Sequence, residues 1–136
     1  MAKLPAEVQE LFNNAPSMVL ATADAQGRPD AAPIGRRKVI DEETVYISDQ
    51  FFNKTLANLR ENAQVAVTFW GETDAYQIHG TARYVNEGEE FAPLKRWADE
   101  AFASAGKPIV AKGGCFIHVD ALYTSAPGPT AGAQLA

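Results

Sequence analysis

The chain has 136 residues, 46% of them hydrophobic and 21% charged, enough apolar material for one globular core and too little length for two. Twelve basic residues face seventeen acidic ones, and the formal charge of -5 argues against nucleic acid or an anionic membrane as the main partner. No apolar run approaches the roughly 20 residues that cross a bilayer, "MAKLPAEVQELF" lacks the apolar stretch of a secretory signal, and the lone Cys115 offers neither an intrachain disulfide nor a CxxC metal site, so a soluble cytoplasmic protein is expected.

Leu4, Val8, Leu11 and Phe12 recur at helical spacing behind Pro5, which a first turn tolerates, and predict a short amphipathic helix from Pro5 to Asn14. "SMVLATAD", the turn "AQGR" and "PDAAPIGRRKVID" then read as two strands joined tightly, with Gly27 available for positive φ. "TVYISD" is a third strand. A helix follows with Asn53 at its N-cap and Leu56 and Leu59 as its apolar stripe. "QVAVTFWG", in which Val65, Val67 and Phe69 share a face, and "AYQIHGTARYV" are the fourth and fifth strands. Phe91, Leu94, Ala98, Ala101 and Phe102 predict a helix beginning near Glu89, since Pro93 is admitted only close to a helix start. "KGG" at Lys112 to Gly114 reads as a turn, "GGCFIHVDALYT" as the sixth strand, and "SAPGPTAGAQLA" as a flexible tail. The expected fold is mainly β with short helices, a six-stranded antiparallel barrel over residues 1–124 with 125–136 as the tail.

Pro33 and Gly35 sit two apart inside the second strand, although proline cannot donate to a ladder and glycine weakens a strand. That implies an edge or a bulge, and it equally lets a flat ring lie close to the backbone. Arg36, Arg37 and Lys38 follow at once, the one basic focus of an acidic chain. Alternation puts Arg36 and Lys38 on one side and Arg37 on the other, so at most two reach one ligand. Lys54 begins a helix, where the peptide dipoles already gather positive charge, and no acid stands in that first turn. Either its stem turns into water or an anion compensates it. The basic strand, the strand ending in Ser48 and the helix start Asn53, Lys54, Thr55 each suit a phosphate. Trp70 ends its strand beside Gly71 as a wall for a ring or as a subunit contact. His79 and His118 have no partner at metal-ligand spacing and read as structural or solvent-facing, and Cys115 as a small buried residue. No metal site and no catalytic acid or base is assigned.

In order and spacing, "MVLATADAQGRPDAAPIGRRKVID", "TVYISDQFFNKTLANLRENAQVAVTFWG" and "QIHGTARYV" resemble the FMN-binding split-barrel proteins related to pyridoxamine 5′-phosphate oxidase, and most of all the small bacterial FMN-binding proteins, over Pro5 to Thr124. The resemblance implies a six-stranded split barrel, a homodimer, and FMN in a cleft at the subunit interface. Residue by residue it implies a flavin-contacting strand from Pro33, Ile34, Gly35 and Arg36 to a phosphate-binding base at Lys38, further contacts from Ile47 and Ser48, and a phosphate site at Asn53, Lys54 and Thr55. On that reading the phosphate compensates Lys54. Asn53 stands where the oxidases commonly carry arginine, which shifts the grip to Lys54, Arg37 or Lys38. The family's arginine-rich C-terminal segment for pyridoxal phosphate has no counterpart in "YTSAPGPTAGAQLA", so oxidation of a vitamin B6 phosphate is not expected. The function implied is an FMN-dependent oxidoreductase with a small-molecule electron donor or acceptor. The alternatives are a non-catalytic electron carrier or flavin store, or the same barrel holding F420 or haem.

Overall fold

The computed structural model describes residues 2–136. In chain order it comprises helix α1 (Ala6–Asn14), strands β1 (Ser17–Ala23), β2 (Pro29–Pro33), β3 (Arg37–Asp41) and β4 (Thr44–Asp49), helix α2 (Lys54–Glu61), strands β5 (Gln64–Trp70) and β6 (Ala75–Val85), helix α3 (Ala92–Ser104) and strand β7 (Gly113–Thr124). Among the described residues no helix is long and apolar enough to cross a membrane.

The strands form one antiparallel sheet in the order β2-β1-β5-β6-β7-β4-β3. There are seven strands where the sequence suggested six, because "PDAAPIGRRKVID" is not continuous. It breaks between Pro33 and Arg37, and its two halves lie at opposite edges of the sheet. The cause is local: Pro33 has no N–H to extend the ladder, and Gly35 has no side chain to hold it in the pleat. The break is bracketed by hydrogen bonds, Ile34 N–H to Met18 O at 3.0 Å on the β1 side and Ser48 N–H to Arg36 O at 2.9 Å on the β4 side. Two residues of chain span at most about 7 Å, so the β1 and β4 sides of the sheet are brought that close. The sheet therefore curls until a backbone link, rather than a ladder, joins its edges, which is a split barrel.

Period-two alternation fills the interior. Met18, Leu20 and Thr22 of β1 and Val65, Val67 and Phe69 of β5 are buried, and they meet Val45, Ile47, Ile78, Ile117 and Val119 from the other strands. Helix α1 closes one end with Val8 and Phe12, and the Phe12 and Phe69 rings pack edge to face with centroids 5.2 Å apart.

The outer face of β4 and β7 is covered by α3. Tyr46 and Phe116 lie there with ring centroids 5.0 Å apart, and Trp97 of α3 stands 6.5 Å from Tyr46. A Cβ on Gly114 would fall 2.0 Å from the Tyr46 hydroxyl, so Gly114 is the floor of that ring. The "KGG" stretch consequently opens β7 rather than making a turn. Helix α3 begins at Ala92 with Pro93 in its first turn, slightly beyond the expected start at Glu89.

Segment 125–136, expected to be a flexible tail, turns back along β7. Leu135 N–H donates to Leu122 O at 2.7 Å and Gly132 N–H to Thr124 O at 2.8 Å. The register explains where it goes. β4 pairs with β7 only as far as His118, which leaves the far end of β7 as an edge for another segment to fill.

Candidate functional site

The break between β2 and β3 leaves a cavity of about 250 Å³. Ala32, Pro33, Ile34 and Gly35 line it along the break, with Arg36, Ser48 and Gln50, and Phe51, Phe52 and Phe102 add aromatic rings to the lining. A Cβ on Gly35 would meet no atom within 4 Å, so the backbone there is open to a ligand. The Ser48 hydroxyl accepts a hydrogen bond from Gln50 Nε2 at 2.5 Å, which ties together two polar groups of the lining. Phe51 is 71% exposed, an unusual position for a phenyl ring, whereas Phe52 is only 7% exposed and also belongs to the core.

The basic strand divides as alternation requires. Arg37 turns towards α1 and donates to Phe12 O at 3.0 Å, to Gly35 O at 2.9 Å and to Ala15 O. It thereby satisfies carbonyls that the end of α1 leaves open, a structural task. Arg36 and Lys38 face the other way, onto Trp97. The Arg36 guanidinium carbon lies 3.7 Å from the indole centroid, Lys38 Nζ lies 5.0 Å from it, and Arg36 Nη2 donates to Trp97 O at 3.2 Å. Burial lowers both arginines from their ordinary pKa, and the charge of Arg36 adds to the effect on Arg37. Arg36 Nε is buried with no hydrogen-bond partner.

At the start of α2 an acid from another strand answers the lysine. Asp30 of β2 pairs with Lys54 Nζ at 3.0 Å and accepts from the Thr55 hydroxyl at 2.9 Å and the Thr22 hydroxyl at 3.5 Å. Asn58 Nδ2 completes the network by donating to Thr22 Oγ1 at 3.0 Å. The Asp30 side chain is 9% exposed and that of Lys54 is 78% exposed, so the ammonium keeps donors free towards solvent. Burial works to raise the Asp30 carboxyl, but the hydrogen bonds from Lys54 and Thr55 and the lysine charge outweigh it and hold the group below the ordinary carboxylate value. Lys54 and Asp30 line a second opening of about 350 Å³. β2 connects the two openings, since Pro29 and Asp30 border the second and Ala32 and Pro33 the first.

Of the other residues named from sequence, Asn53 precedes α2 with φ 45° and makes no side-chain cap. The carboxylate of Asp49 serves that loop instead, accepting from Phe52 N–H at 2.9 Å and from the Tyr84 hydroxyl at 2.5 Å. Ile47 points into the core and is fully buried. Trp70 is 38% exposed at the end of β5 and does not line the cavity. His79 touches Gln77 at 2.8 Å and packs on Tyr123, and among the described residues no cluster of His, Cys, Asp and Glu could hold a metal. Cys115 is fully buried, and burial, with Asp49 nearby, pushes its thiol up to about 12. The cavity thus gathers Pro33, Ile34, Gly35, Arg36 and Ser48 from the sequence-based set, with Lys54 and Thr55 one opening away along β2. Sequence reasoning missed Asp30, Gln50, Trp97 and the placement of Phe102. For Phe102 the apolar periodicity of α3 was visible, but not which surface the helix covers.

Comparison with known proteins agrees with this architecture. A family model described as Pyridoxamine 5′-phosphate oxidase matches residues 4–122. The uncharacterised protein MJ0282 of Methanocaldococcus jannaschii is 37% identical over 139 residues, which cover 100% of this chain and 90% of that protein. The crystal structure of HupZ from Group A Streptococcus superposes with a TM-score of 0.80 at 25% identity, covering 98% of this chain and 99% of the other. An FMN-binding protein from Syntrophomonas wolfei superposes with a TM-score of 0.74 at 19% identity over 88% of this chain and 84% of its own, a likeness of fold alone. The fold is also that of HutZ, a haem storage protein from Vibrio cholerae, and of an F420 reductase, at TM-scores of 0.67 and 0.65 and identities of 19% and 14%. With the match extending from the first helix into the last strand, the chain belongs to the pyridoxamine 5′-phosphate oxidase family.

Proposed function

We propose that the protein binds FMN with its ring in the cavity at the β2–β3 break and its phosphate towards Lys54, and that it acts as a flavin-dependent oxidoreductase on a small acceptor. The observation that carries this reading is the open backbone at Gly35, flanked by a cation and by aromatic walls. A flat heteroaromatic ring needs apolar faces and a few polar groups along its edge, and Phe51, Phe102, Ser48, Gln50 and Arg36 are of those kinds. The donor set suits a phosphate less simply, because Asp30 already takes part of Lys54 and Thr55. The remaining ammonium donors and the β2 path between the openings support a phosphate that shares Lys54 with Asp30. FMN, once bound, supplies the electron or hydride transfer. The chain's residues bind and orient: Phe51 and Phe102 exclude water, Arg36 places positive charge at the rim, and no side chain need move a proton.

A cavity of about 250 Å³ falls below the roughly 300–1,000 Å³ of most small-molecule sites, so we take it as one wall of a cleft completed by a second copy. The exposed Phe51 and Val110, which border the adjacent opening with Pro108 and Ile109, supply apolar surface for that contact. This wall of the cleft contains no histidine, cysteine, methionine or tyrosine that could serve as a haem axial ligand. The absorption spectrum of the purified protein tests the reading: flavin bands are expected, and a Soret band or a colourless protein that takes up no FMN would oppose it. Oxidation of NADH or NADPH by the loaded protein then separates an enzyme from an electron carrier, and sedimentation at micromolar concentration tests the dimer.

A further inference from the structure

Helix α3 reaches the cavity in two ways. Phe102 forms part of its wall, and Trp97, more than one turn earlier on the helix, holds the arginine at its rim. The contact between Trp97 and Arg36 is double: the guanidinium stacks 3.7 Å from the indole centroid while Nη2 donates to the Trp97 carbonyl at 3.2 Å. Lys38 Nζ stands 5.0 Å from the same ring. Two cations on one indole is an electrostatic arrangement, since the ring face carries the negative lobe of the aromatic quadrupole. Phe91, just before helix α3, and Ala98 within it form a small cluster with Ala111 apart from the barrel core, and the helix is tied down by Asp99, which accepts from Lys95 at 2.7 Å and from Ala111 N–H at 2.7 Å.

We propose that Trp97 is a positioning residue for the flavin site: it fixes the Arg36 guanidinium at the cavity rim, so that the ring of the bound flavin experiences a fixed positive charge. The proposal rests on the FMN reading above. Arginine has a long stem that turns into water when nothing holds its head, and a cation free in water is screened. A guanidinium held between an indole face and a carbonyl instead costs no reorganisation when negative charge appears on the flavin during reduction. Trp97 does not itself line the cavity, so its influence on the flavin passes through Arg36, the lining residue that it touches.

The experiment is a double-variant cycle read out as the ratio of affinities for reduced and oxidised FMN. Trp97→Ala is expected to lower that ratio about tenfold, equivalent to about 30 mV for a two-electron couple, and Arg36→Ala to lower it by a similar factor. In the Arg36→Ala background, Trp97→Ala is expected to have no further effect. Trp97→Phe, which keeps an aromatic face, should retain most of the ratio; the main-chain carbonyl is common to every variant, so the comparison isolates the ring. If Trp97→Ala does not fold, Trp97→Leu, bulky but without a π face, carries the same expectation. Additive losses in the double variant, or an unchanged ratio in the single Trp97 variants, would overturn the proposal and leave the FMN reading standing. A wild-type protein that takes up no FMN would overturn both.

Discussion

Lys54 begins a helix against the dipole, and the residue that answers it is Asp30, which lies 24 positions earlier on another strand and accepts from both Lys54 and Thr55. The sequence posed the question of compensation and left it between solvent and an anion; Asp30 was not among the answers, because an acid on β2 comes near the start of α2 only once the sheet has formed. If the phosphate and Asp30 share the ammonium, Asp30→Asn should tighten FMN binding by about 1 kcal/mol and Lys54→Ala should weaken it by about the same, while riboflavin, lacking the phosphate, responds to neither. Titrating each variant with both flavins checks this, and equal changes for the two would place Lys54 and Asp30 outside the phosphate site. The neighbouring basic residues were more legible. Alternation alone separated Arg37 from Arg36 and Lys38, and the structure gives Arg37 to the carbonyls at the end of α1. Arg37→Ala should therefore lower stability in urea by about 2 kcal/mol, with FMN affinity per folded chain unchanged.

At the scale of elements, the anomalies in "PDAAPIGRRKVID" were plain, yet their meaning was not. Pro33 and Gly35 signalled an edge or a bulge, and what they make is a crossing between opposite edges of one sheet. No local pattern encodes that, because strand order depends on which distant strands pair. The crossing is where the cavity opens, so a side chain placed there should block the site without straining the fold. Gly35→Val is expected to change stability by less than about 1 kcal/mol, since its Cβ meets no atom within 4 Å, and to weaken FMN binding at least tenfold. Unaltered binding would move the ring elsewhere. Helix α3 depends on pH through Asp99. Burial works to raise that carboxyl, but the Lys95 ion pair and the Ala111 N–H prevail and hold it below its ordinary value. A group with a lowered folded pKa stabilises fully above its unfolded value of about 3.9 and loses that contribution as pH falls through the folded one. Acid should thus loosen α3, seen as faster amide exchange in Ala92–Ser104 relative to β5 and β6 once the pH falls below about 4, and Asp99→Asn should abolish the difference between high and low pH.

Across the whole molecule, periodicity revealed the elements and their order revealed the family, while the path of the chain around the barrel needed the structure. The C-terminal segment illustrates the difference: its prolines and glycines suggested a free tail, but β7 outlasts β4 and offers an edge that residues 132–136 occupy. The proposed function rests on the same geometry, a barrel left unsealed at Gly35 with Arg36 in the lining and Lys54 one opening away. The most direct test is a fluorescence titration of cofactor-stripped protein with FMN, with F420 and haem as competitors. The account predicts quenching that saturates at about one FMN per chain and a preference for FMN over both competitors. Absence of quenching, or tighter uptake of haem or F420 than of FMN, would contradict it.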